Sequence, residues 1–324
     1  MESISGLTNW RLSVRREDDG ITILRALTCD QKAVLPDELF GLPVTALQDR
    51  ALAAGAAPAE GEELHILGGT ESGDWDNRNI TELTLPRFLQ RIGDYAFMNL
   101  RSMEMLHFYD DLYSTGRASF MNCRSFSRIE LMRTGPHQGP ALASLVRSLQ
   151  QKLDVTINDT DGSSLRLIFP EYFEAYTENR NAYTFQLRLV GGGYAYHNIF
   201  RERALSVSDY DALWPAYIAQ EHDEDTALNL AYRRFCCPTR LRDQAGERYA
   251  EYLCDNLDRA LSLSLREKDM HGLRKLLDLD GIDTETLDAA LRESRTLQMT
   301  EATAILLEKR HVRPAAGRAR TFEL

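Results

Sequence analysis

The amino-acid sequence predicts an α+β protein with an N-terminal β-solenoid, an aromatic-rich β/α bridge and a C-terminal array of helical repeats. Residues 83–131 repeat with a fixed period of 23, which is typical of a solenoid whose coils bury their apolar faces by stacking. Nine aromatic residues fall within residues 169–200, a density that a loop does not require. From residue 208 onward the apolar spacing becomes helical, and it repeats with an offset of 30.

Residues 10–27 have the pattern of a β-hairpin, because apolar and polar residues alternate around the turn sequence Asp-Asp-Gly at 18–20. A hairpin at the open end of a solenoid would cap it. An early coil with an insertion comes next, at residues 35–52, and residues 64–66 predict a further strand. A polar loop at residues 68–79 precedes the regular coils.

The regular coils share apolar, glycine, aromatic and asparagine positions. The matching sets are Leu83, Leu106 and Ile129; Leu85, Phe108 and Leu131; Gly93 and Gly116; Phe97 and Phe120; and Asn99 and Asn122. Alternation within them predicts parallel strands at residues 82–85, 105–108 and 128–131, spaced by about 4.8 Å. The register also predicts that Phe97 is buried against Phe120 of the next coil. The two asparagines are expected to form a buried ladder in which each amide bonds the backbone of the next coil, since an unpaired buried amide costs about 1–3 kcal/mol.

Outward-pointing residues of the same strands form two rows on one face of the predicted sheet. The rows are Glu82, Met105 and Arg128, and Thr84, His107 and Glu130. Mixed charge and one methionine on a flat, regularly spaced surface suit a polar protein–protein interface of moderate affinity. We therefore predict that these residues bind a protein partner. The alternatives are that they are simply solvated strand residues, or that the partner binds the groove of the helical array.

These coils also carry a family resemblance. Residues 85–99, LPRFLQRIGDYAFMN, resemble the BspA-type leucine-rich repeat, and residues 35–47 resemble the usual opening coil of that family. The resemblance spans roughly residues 10–135, and it implies a curved, β-rich leucine-rich-repeat solenoid used for protein recognition. Thr115 stands where an aliphatic residue is expected and Ser119 replaces alanine, so the third coil is degenerate.

The bridge begins with a second predicted hairpin at residues 155–169, which has Asp161-Gly162 in its turn. Its aromatic residues are Phe169, Tyr172, Phe173, Tyr176, Tyr183, Phe185, Tyr194, Tyr196 and Phe200. We interpret this segment as a compact adaptor that closes the solenoid, with the aromatic side chains packed in a core. The alternative is an aromatic binding surface, since tyrosine and tryptophan anchor many interfaces.

The C-terminal region is predicted to be helical, with Ser208-Asp209 as its first N-cap. Its internal matches are Ala260-Leu261 with Ala290-Leu291, and Leu276-Leu277 with Leu306-Leu307. Helix pairs at this offset resemble ankyrin-type stacking, although the ankyrin Thr-Pro-Leu-His signature is absent and a plain helical bundle is the alternative. The predicted domains are the solenoid with its hairpin cap at 1–140, the bridge at 141–207, the helical repeats at 208–312 and a flexible tail at 313–324.

The composition favours a soluble, cytoplasmic protein. No apolar stretch approaches 18 residues, so we expect no membrane span, and the first residues lack the apolar core of a signal peptide. Five cysteines without repeated spacing suit reduced thiols. The net charge of −11 argues against nucleic acid as a partner. The part after the solenoid resembles the region C-terminal to BspA-type solenoids in some cytosolic proteins of anaerobic bacteria, which implies a bacterial protein.

Catalytic motifs are absent from the sequence. Gly191-Gly192-Gly193 lacks the Gly-Lys-Ser/Thr of a phosphate-binding loop, and Cys236-Cys237 lacks the spacing of a zinc or redox site. We therefore predict no catalytic residue, no cofactor and no metal site.

The predicted function is a cytosolic scaffold or adaptor that binds another protein through the leucine-rich-repeat face, the helical repeats or both. The alternative is an enzyme or small-ligand switch whose site lies in the bridge around Tyr194, Tyr196, His197 and Arg201.

Overall fold

The computed structural model of the protein describes residues 2–69, 73–135, 140–179 and 184–312. The chain divides into two compact units, Met1–Asp223 and Glu224–Leu324. The predicted tail at 313–324 and the bridge residue Tyr183 lie outside the described residues.

The first unit contains all the described strands and four helices. The strands are β1 (Glu2–Ser5), β2 (Trp10–Glu17), β3 (Gly20–Leu27), β4 (Lys32–Val34), β5 (Glu38–Leu39), β6 (Leu42–Leu47), β7 (Glu62–Leu67), β8 (Glu82–Thr84), β9 (Arg91–Ile92), β10 (Met105–Tyr109), β11 (Ser114–Thr115), β12 (Arg128–Met132), β13 (Leu153–Asn158), β14 (Ser164–Phe169), β15 (Phe173–Asn179) and β16 (Thr184–Val190). The helices are α1 (Ala141–Ser148), α2 (Gly193–His197), α3 (Val207–Ala212) and α4 (Trp214–Ile218).

The repeat strands form a six-stranded sheet, which we call the repeat sheet, in the order β14-β13-β12-β10-β8-β4. Neighbours from β4 to β13 are parallel, and only the edge pair β13–β14 is antiparallel. Leu83 pairs with Leu106, and Leu106 pairs with Ile129, so the 23-residue register of the sequence is the register of the sheet. The predicted parallel strands are confirmed, and the whole row is fully buried because each coil covers the next.

A second sheet has the order β1-β7-β2-β3-β6-β9-β11, with β5 paired to β6. The predicted N-terminal hairpin is confirmed, since β2 and β3 pair antiparallel from Arg11 and Leu27 to Glu17 and Gly20. Strand β3 then pairs in parallel with β6, and β6 pairs in parallel with β9. The hairpin thus extends the sheet formed by the short second strands of the coils, as a solenoid cap does.

Aromatic side chains stack through the coils as the register predicts. Phe97 is fully buried, and its ring centroid lies 5.0 Å from that of Phe120. Phe120 in turn lies 4.8 Å from Phe126. The matched glycines serve the same stacking, because a Cβ atom on Gly116 would lie 2.2 Å from the carbonyl carbon of Gly93. Any larger residue at this position would push adjacent coils apart.

The predicted asparagine ladder is wrong in two respects. Asn122 Nδ2 donates to Asn99 Oδ1 at 2.9 Å, so the two amides bond each other rather than the backbone of the next coil. The pair is also solvent-exposed rather than buried. The physical reason lies in the backbone, since these residues have φ angles of 67° and 62°, a left-handed conformation in which asparagine is strongly enriched.

The second predicted hairpin is also confirmed, because β13 and β14 pair antiparallel around Asp161-Gly162. Strand β13 pairs in parallel with β12, so this hairpin adds two strands to the repeat sheet. Beyond it, Phe169, Tyr196 and Phe200 are buried with Tyr210 in an aromatic cluster, and ring centroids of adjacent members lie 4.8–6.0 Å apart. Tyr172 is also buried, whereas Phe173 and Tyr194 are about half exposed. The cluster is therefore mainly a core.

The helical pattern begins within the first unit. The predicted N-cap at Ser208 is wrong by two residues, since Ser206 accepts a hydrogen bond from the backbone N–H of Asp209 at the start of α3. Ser206 has the extended backbone that an N-cap requires.

The second unit comprises α5 (Glu224–Cys236), α6 (Asp243–Asp255), α7 (Leu257–Arg266), α8 (Met270–Leu277), α9 (Thr284–Thr296) and α10 (Thr300–Val312). The offset of 30 relates α7–α8 to α9–α10. In each first helix a buried serine, Ser264 or Ser294, donates to the backbone oxygen three residues before it. Asp269 caps α8 and Asp283 caps α9. The chain is thus mixed α+β, with a β-solenoid followed by helices, as predicted.

Candidate protein-binding face of the repeat sheet

The repeat sheet brings the predicted partner-binding residues together on one face. Met105 pairs with Glu82 on one side and with Arg128 on the other. The second row has His107 between Thr84 and Glu130. These side chains are half-buried, except that of Arg128, which is exposed. We call this surface the repeat face.

Two strands that the sequence did not place in this sheet extend both rows. Strand β4 adds Lys32 and Val34, and β13 adds Asp154 and Thr156. The alternation Val155-Thr156-Ile157 resembles that of the regular coils, but it lies 26 residues beyond Ile129 and so falls outside the 23-residue period. Only the strand pairing in the structure identifies β13 as a further strand of the repeat face.

A chain of hydrogen bonds and ion-pair contacts, which we call the polar ladder, crosses five strands of the repeat face. Lys32 Nζ lies 3.1 Å from Glu82 Oε2, and Glu82 Oε1 lies 2.8 Å from His107 Nε2. His107 Nδ1 is 2.6 Å from Glu130 Oε2. Asn158 Nδ2 then donates to Glu130 Oε1 at 2.6 Å. Each side chain is therefore held by its neighbours on adjacent strands.

The ladder has a defined electrostatic character. The hydrogen bond from Lys32 lowers the pKa of Glu82 most, burial opposes this effect, and the hydrogen bond with His107 adds to it. Both ring nitrogens of His107 face carboxylate oxygens, and a neutral imidazole carries a single N–H. A neutral ring can therefore donate to only one of these two carboxylates.

Outside the ladder, the repeat face carries charges of both signs and one methionine at its centre. Arg128 pairs with Glu104 at 2.9 Å, and both side chains are about half exposed. Exposed pairs of this kind contribute roughly 0–1 kcal/mol to stability, so they are available for exchange with a partner's charges. Met105 lies between the charged ends of its row, and Met132 is 36% exposed near Asn158.

The four residues of the alternative bridge site do not share an accessible surface. Tyr196 is fully buried, and burial raises the pKa of its hydroxyl well above the ordinary value. His197 is also fully buried, with its ring nitrogens 2.9 Å from the backbone oxygens of Val146 and Pro170, and burial lowers its pKa. Tyr194 is half exposed, while the exposed Arg201 pairs with an aspartate. The geometry favours a structural role for the two buried residues.

Within the described residues, no group of three His, Cys, Asp or Glu side chains has the arrangement of a metal site. Cys29, Cys123 and Cys236 are buried free thiols. Burial raises the pKa of Cys123 and of Cys236 to about 12, so neither is a ready nucleophile. In the part of the chain that the structure covers, no helix combines the length and apolar character needed to cross a membrane.

Comparison with known proteins gives one match to a family model, within the solenoid. Residues 71–138 match the sequence model of the BspA type leucine rich repeat region (6 copies), which corresponds to about a fifth of the chain. No curated protein matches the chain. Among solved structures, the crystal structure of a T. pallidum leucine rich repeat protein is similar, with 18% identity over 37% of this chain and 68% of that chain and a TM-score of 0.22.

Residues 71–138 therefore match BspA-type leucine-rich repeats, as the resemblance predicted for this segment. Leucine-rich repeats typically mediate protein–protein interaction and are generally non-enzymatic. The strands β8, β10 and β12, which carry the predicted partner-binding residues, all lie within the matched segment.

Proposed function

We propose that this protein is a non-catalytic scaffold that binds another protein through the repeat face. The polar ladder is the observation that carries this proposal. It arranges acidic, basic and amide groups at strand spacing on an open sheet, as an extended polar interface requires.

The ladder also reduces the cost of binding. Free surface side chains lose about 0.5–1.5 kcal/mol each when a partner immobilises them. Glu82, His107 and Glu130 are already fixed by bonds to neighbouring strands, so little of this freedom remains to be lost. A pre-ordered array of charges of both signs selects a partner with the complementary pattern.

The helical unit offers a second recognition surface. We propose that its two helix pairs are ankyrin-like repeats, which is supported by the offset of 30 and the matched serines. We also propose the four-part division at residues 140, 207 and 312, and a cytoplasmic location in a bacterial cell.

An enzyme or ligand switch in the bridge is not favoured. Tyr196 and His197 contribute to a packed aromatic core, and only Tyr194 and Arg201 of the four candidates reach solvent. A catalytic site needs groups that touch a substrate, whereas the two most perturbed groups here are enclosed by protein.

Affinity capture tests the proposed function. The full-length protein is compared with a variant carrying Thr84→Lys, His107→Lys and Glu130→Lys, and captured proteins from the source cells are identified by mass spectrometry. A control variant carries Glu38→Lys and Glu60→Lys, which makes a comparable charge change at exposed positions outside the repeat face.

Loss of the partner from the repeat-face variant and its retention by the control would support the proposal. Equal capture by both variants, with both folded by circular dichroism, would move the binding site to another surface.

A further inference from the structure

The cavity that leads furthest lies in the second sheet, away from the strands of the repeat face. It has a volume of about 310 Å³ and is lined by residues from β2, β3 and β7 and from the two segments that follow β6 and β7. Arg11, Arg25, Glu63, Trp75 and Asp76 provide its polar and aromatic groups. Nothing in the proposed scaffold function uses this cavity.

Arg25 is the unusual member of the lining. Arg25 is only 6% exposed, so its cationic side chain is nearly enclosed by protein. Nη1 donates to the backbone oxygens of Arg50 and Ala51 at 2.9 and 3.1 Å, and Nη2 donates to that of Ala56 at 3.3 Å. None of the described carboxylates pairs with it, and burial lowers the pKa of its guanidinium.

The three backbone oxygens accept hydrogen bonds from Arg25, but they carry no full negative charge that would neutralise its guanidinium. A buried charge with no counter-charge is costly, and arginine remains protonated in proteins. A guanidinium has five N–H groups, and here Nε–H and one Nη2–H have no acceptor among the described residues. Two donors on neighbouring guanidinium nitrogens suit a planar oxyanion, which accepts two parallel hydrogen bonds from such a pair.

The rest of the lining selects the kind of anion. Glu63 and Asp76 line the same cavity, and Asp76 is paired with Arg78 at 3.2 Å. Two nearby carboxylates repel a doubly charged ligand group, such as a phosphate, more strongly than they repel a singly charged carboxylate ligand. Arg11, which also lines the cavity, lies 4.1 Å over the Trp75 ring, so a second guanidinium beside that of Arg25 favours an anionic ligand.

The remaining wall is apolar. Leu27, Pro58 and Ala59 line the cavity beside Trp75, and its volume accommodates a ring-sized organic group. We propose that this cavity binds a small organic carboxylate, with the carboxylate on Arg25 and an apolar or aromatic body against Trp75 and Pro58.

Isothermal titration calorimetry on the full-length protein at neutral pH tests the proposal with three probes. Benzoate carries the carboxylate, benzamide is its neutral analogue, and phenyl phosphate presents a dianion on the same ring. We expect one equivalent of benzoate to bind, and both other probes to bind at least about tenfold more weakly. Absence of saturable benzoate binding, or equal binding of benzamide, would overturn the proposal, and tighter binding of phenyl phosphate would overturn the assignment of a carboxylate.

Two variants locate the site. Arg25→Gln should weaken benzoate binding at least about tenfold. The control Arg15→Gln changes an exposed arginine on β2, the strand that also carries Arg11, and should leave binding unchanged. Because Arg25 also holds loop carbonyls, Trp75→Ala serves as a second variant that leaves those bonds intact, and it should weaken binding severalfold. Unchanged benzoate affinity in the folded Trp75→Ala protein would place benzoate outside this cavity and refute the proposal.

Discussion

Replacing Phe97 by alanine is the sharpest test of the stacked coils. The side chain is fully buried, and its ring packs 5.0 Å from Phe120, which itself stacks on Phe126. Truncation of a buried phenylalanine costs about 3–5 kcal/mol, through lost burial and through the cavity left behind. The aromatic pair adds about 0.5–1.5 kcal/mol beyond its buried area. We therefore expect Phe97→Ala to lower the free energy of unfolding by an amount in the upper half of the range of about 3–5 kcal/mol.

The cavity cannot close easily because its walls belong to neighbouring coils. Gly93 and Gly116 already bring those coils into backbone contact, so the coils cannot move closer to fill the space. A site that cannot collapse retains the full cavity cost.

Urea unfolding followed by tryptophan fluorescence provides the measurement. All three tryptophans, Trp10, Trp75 and Trp214, lie in the first unit, so the signal reports its unfolding. Phe88→Ala is the matched control, because Phe88 is 37% exposed and its truncation should cost less than about 1 kcal/mol. Equal losses for Phe97→Ala and Phe88→Ala would refute the stacked-core reasoning.

Three further predictions concern Glu82, the buried cysteines and the aspartate caps. Because the pKa of Glu82 is lowered in the folded protein, its ionised carboxylate stabilises the fold at pH values above the ordinary pKa of 4.5. The difference in free energy of unfolding between the protein and Glu82→Gln should therefore be present at neutral pH and disappear as the pH falls through the folded-state pKa, as measured by urea unfolding at several pH values. Cys123 and Cys236, whose pKa values are raised to about 12, should resist iodoacetamide at neutral pH until urea is added, as read by mass spectrometry. Asp283→Ala should cost about 1 kcal/mol as a lost N-cap, and Asp269→Ala should cost more because this carboxylate also accepts a buried tyrosine hydroxyl, both measured by far-UV circular dichroism during unfolding.

The repeat sheet could be predicted from the sequence because burial recurs at identical positions in each coil. Leu83, Leu106 and Ile129 face the same interior, so selection for packing leaves a period that is visible without a structure. The short second strands of the coils have no such signal. Strands β9 and β11 are two residues long, too short for an alternating pattern to stand out.

The asparagine pair shows a different limit. The sequence reveals that Asn99 and Asn122 match, but a buried amide ladder and an exposed left-handed turn both favour asparagine. Residue identity alone cannot separate these explanations. The φ angle and the exposure decide between them.

The sequence predicts Arg25 only as part of a strand, since arginine in a hairpin is expected to face solvent. Its burial depends on backbone oxygens of Arg50, Ala51 and Ala56, which belong to a loop that is distant in sequence. No local pattern encodes that contact. The cavity beside it is therefore a property of the folded sheet.

Site-directed photo-crosslinking at Met105 would show whether the repeat face contacts a protein partner. Met105 lies at the centre of the face, between Glu82 and Arg128, and is replaced by p-benzoylphenylalanine in the full-length protein; the same group at Glu38 is the control. After irradiation in source-cell lysate, the variant with the photoreactive group at position 105 should crosslink to one protein that the wild-type protein also captures. The variant with the group at position 38 should not crosslink to that protein. Crosslinking of the captured partner from position 38 but not from position 105 would show that the partner does not bind the repeat face.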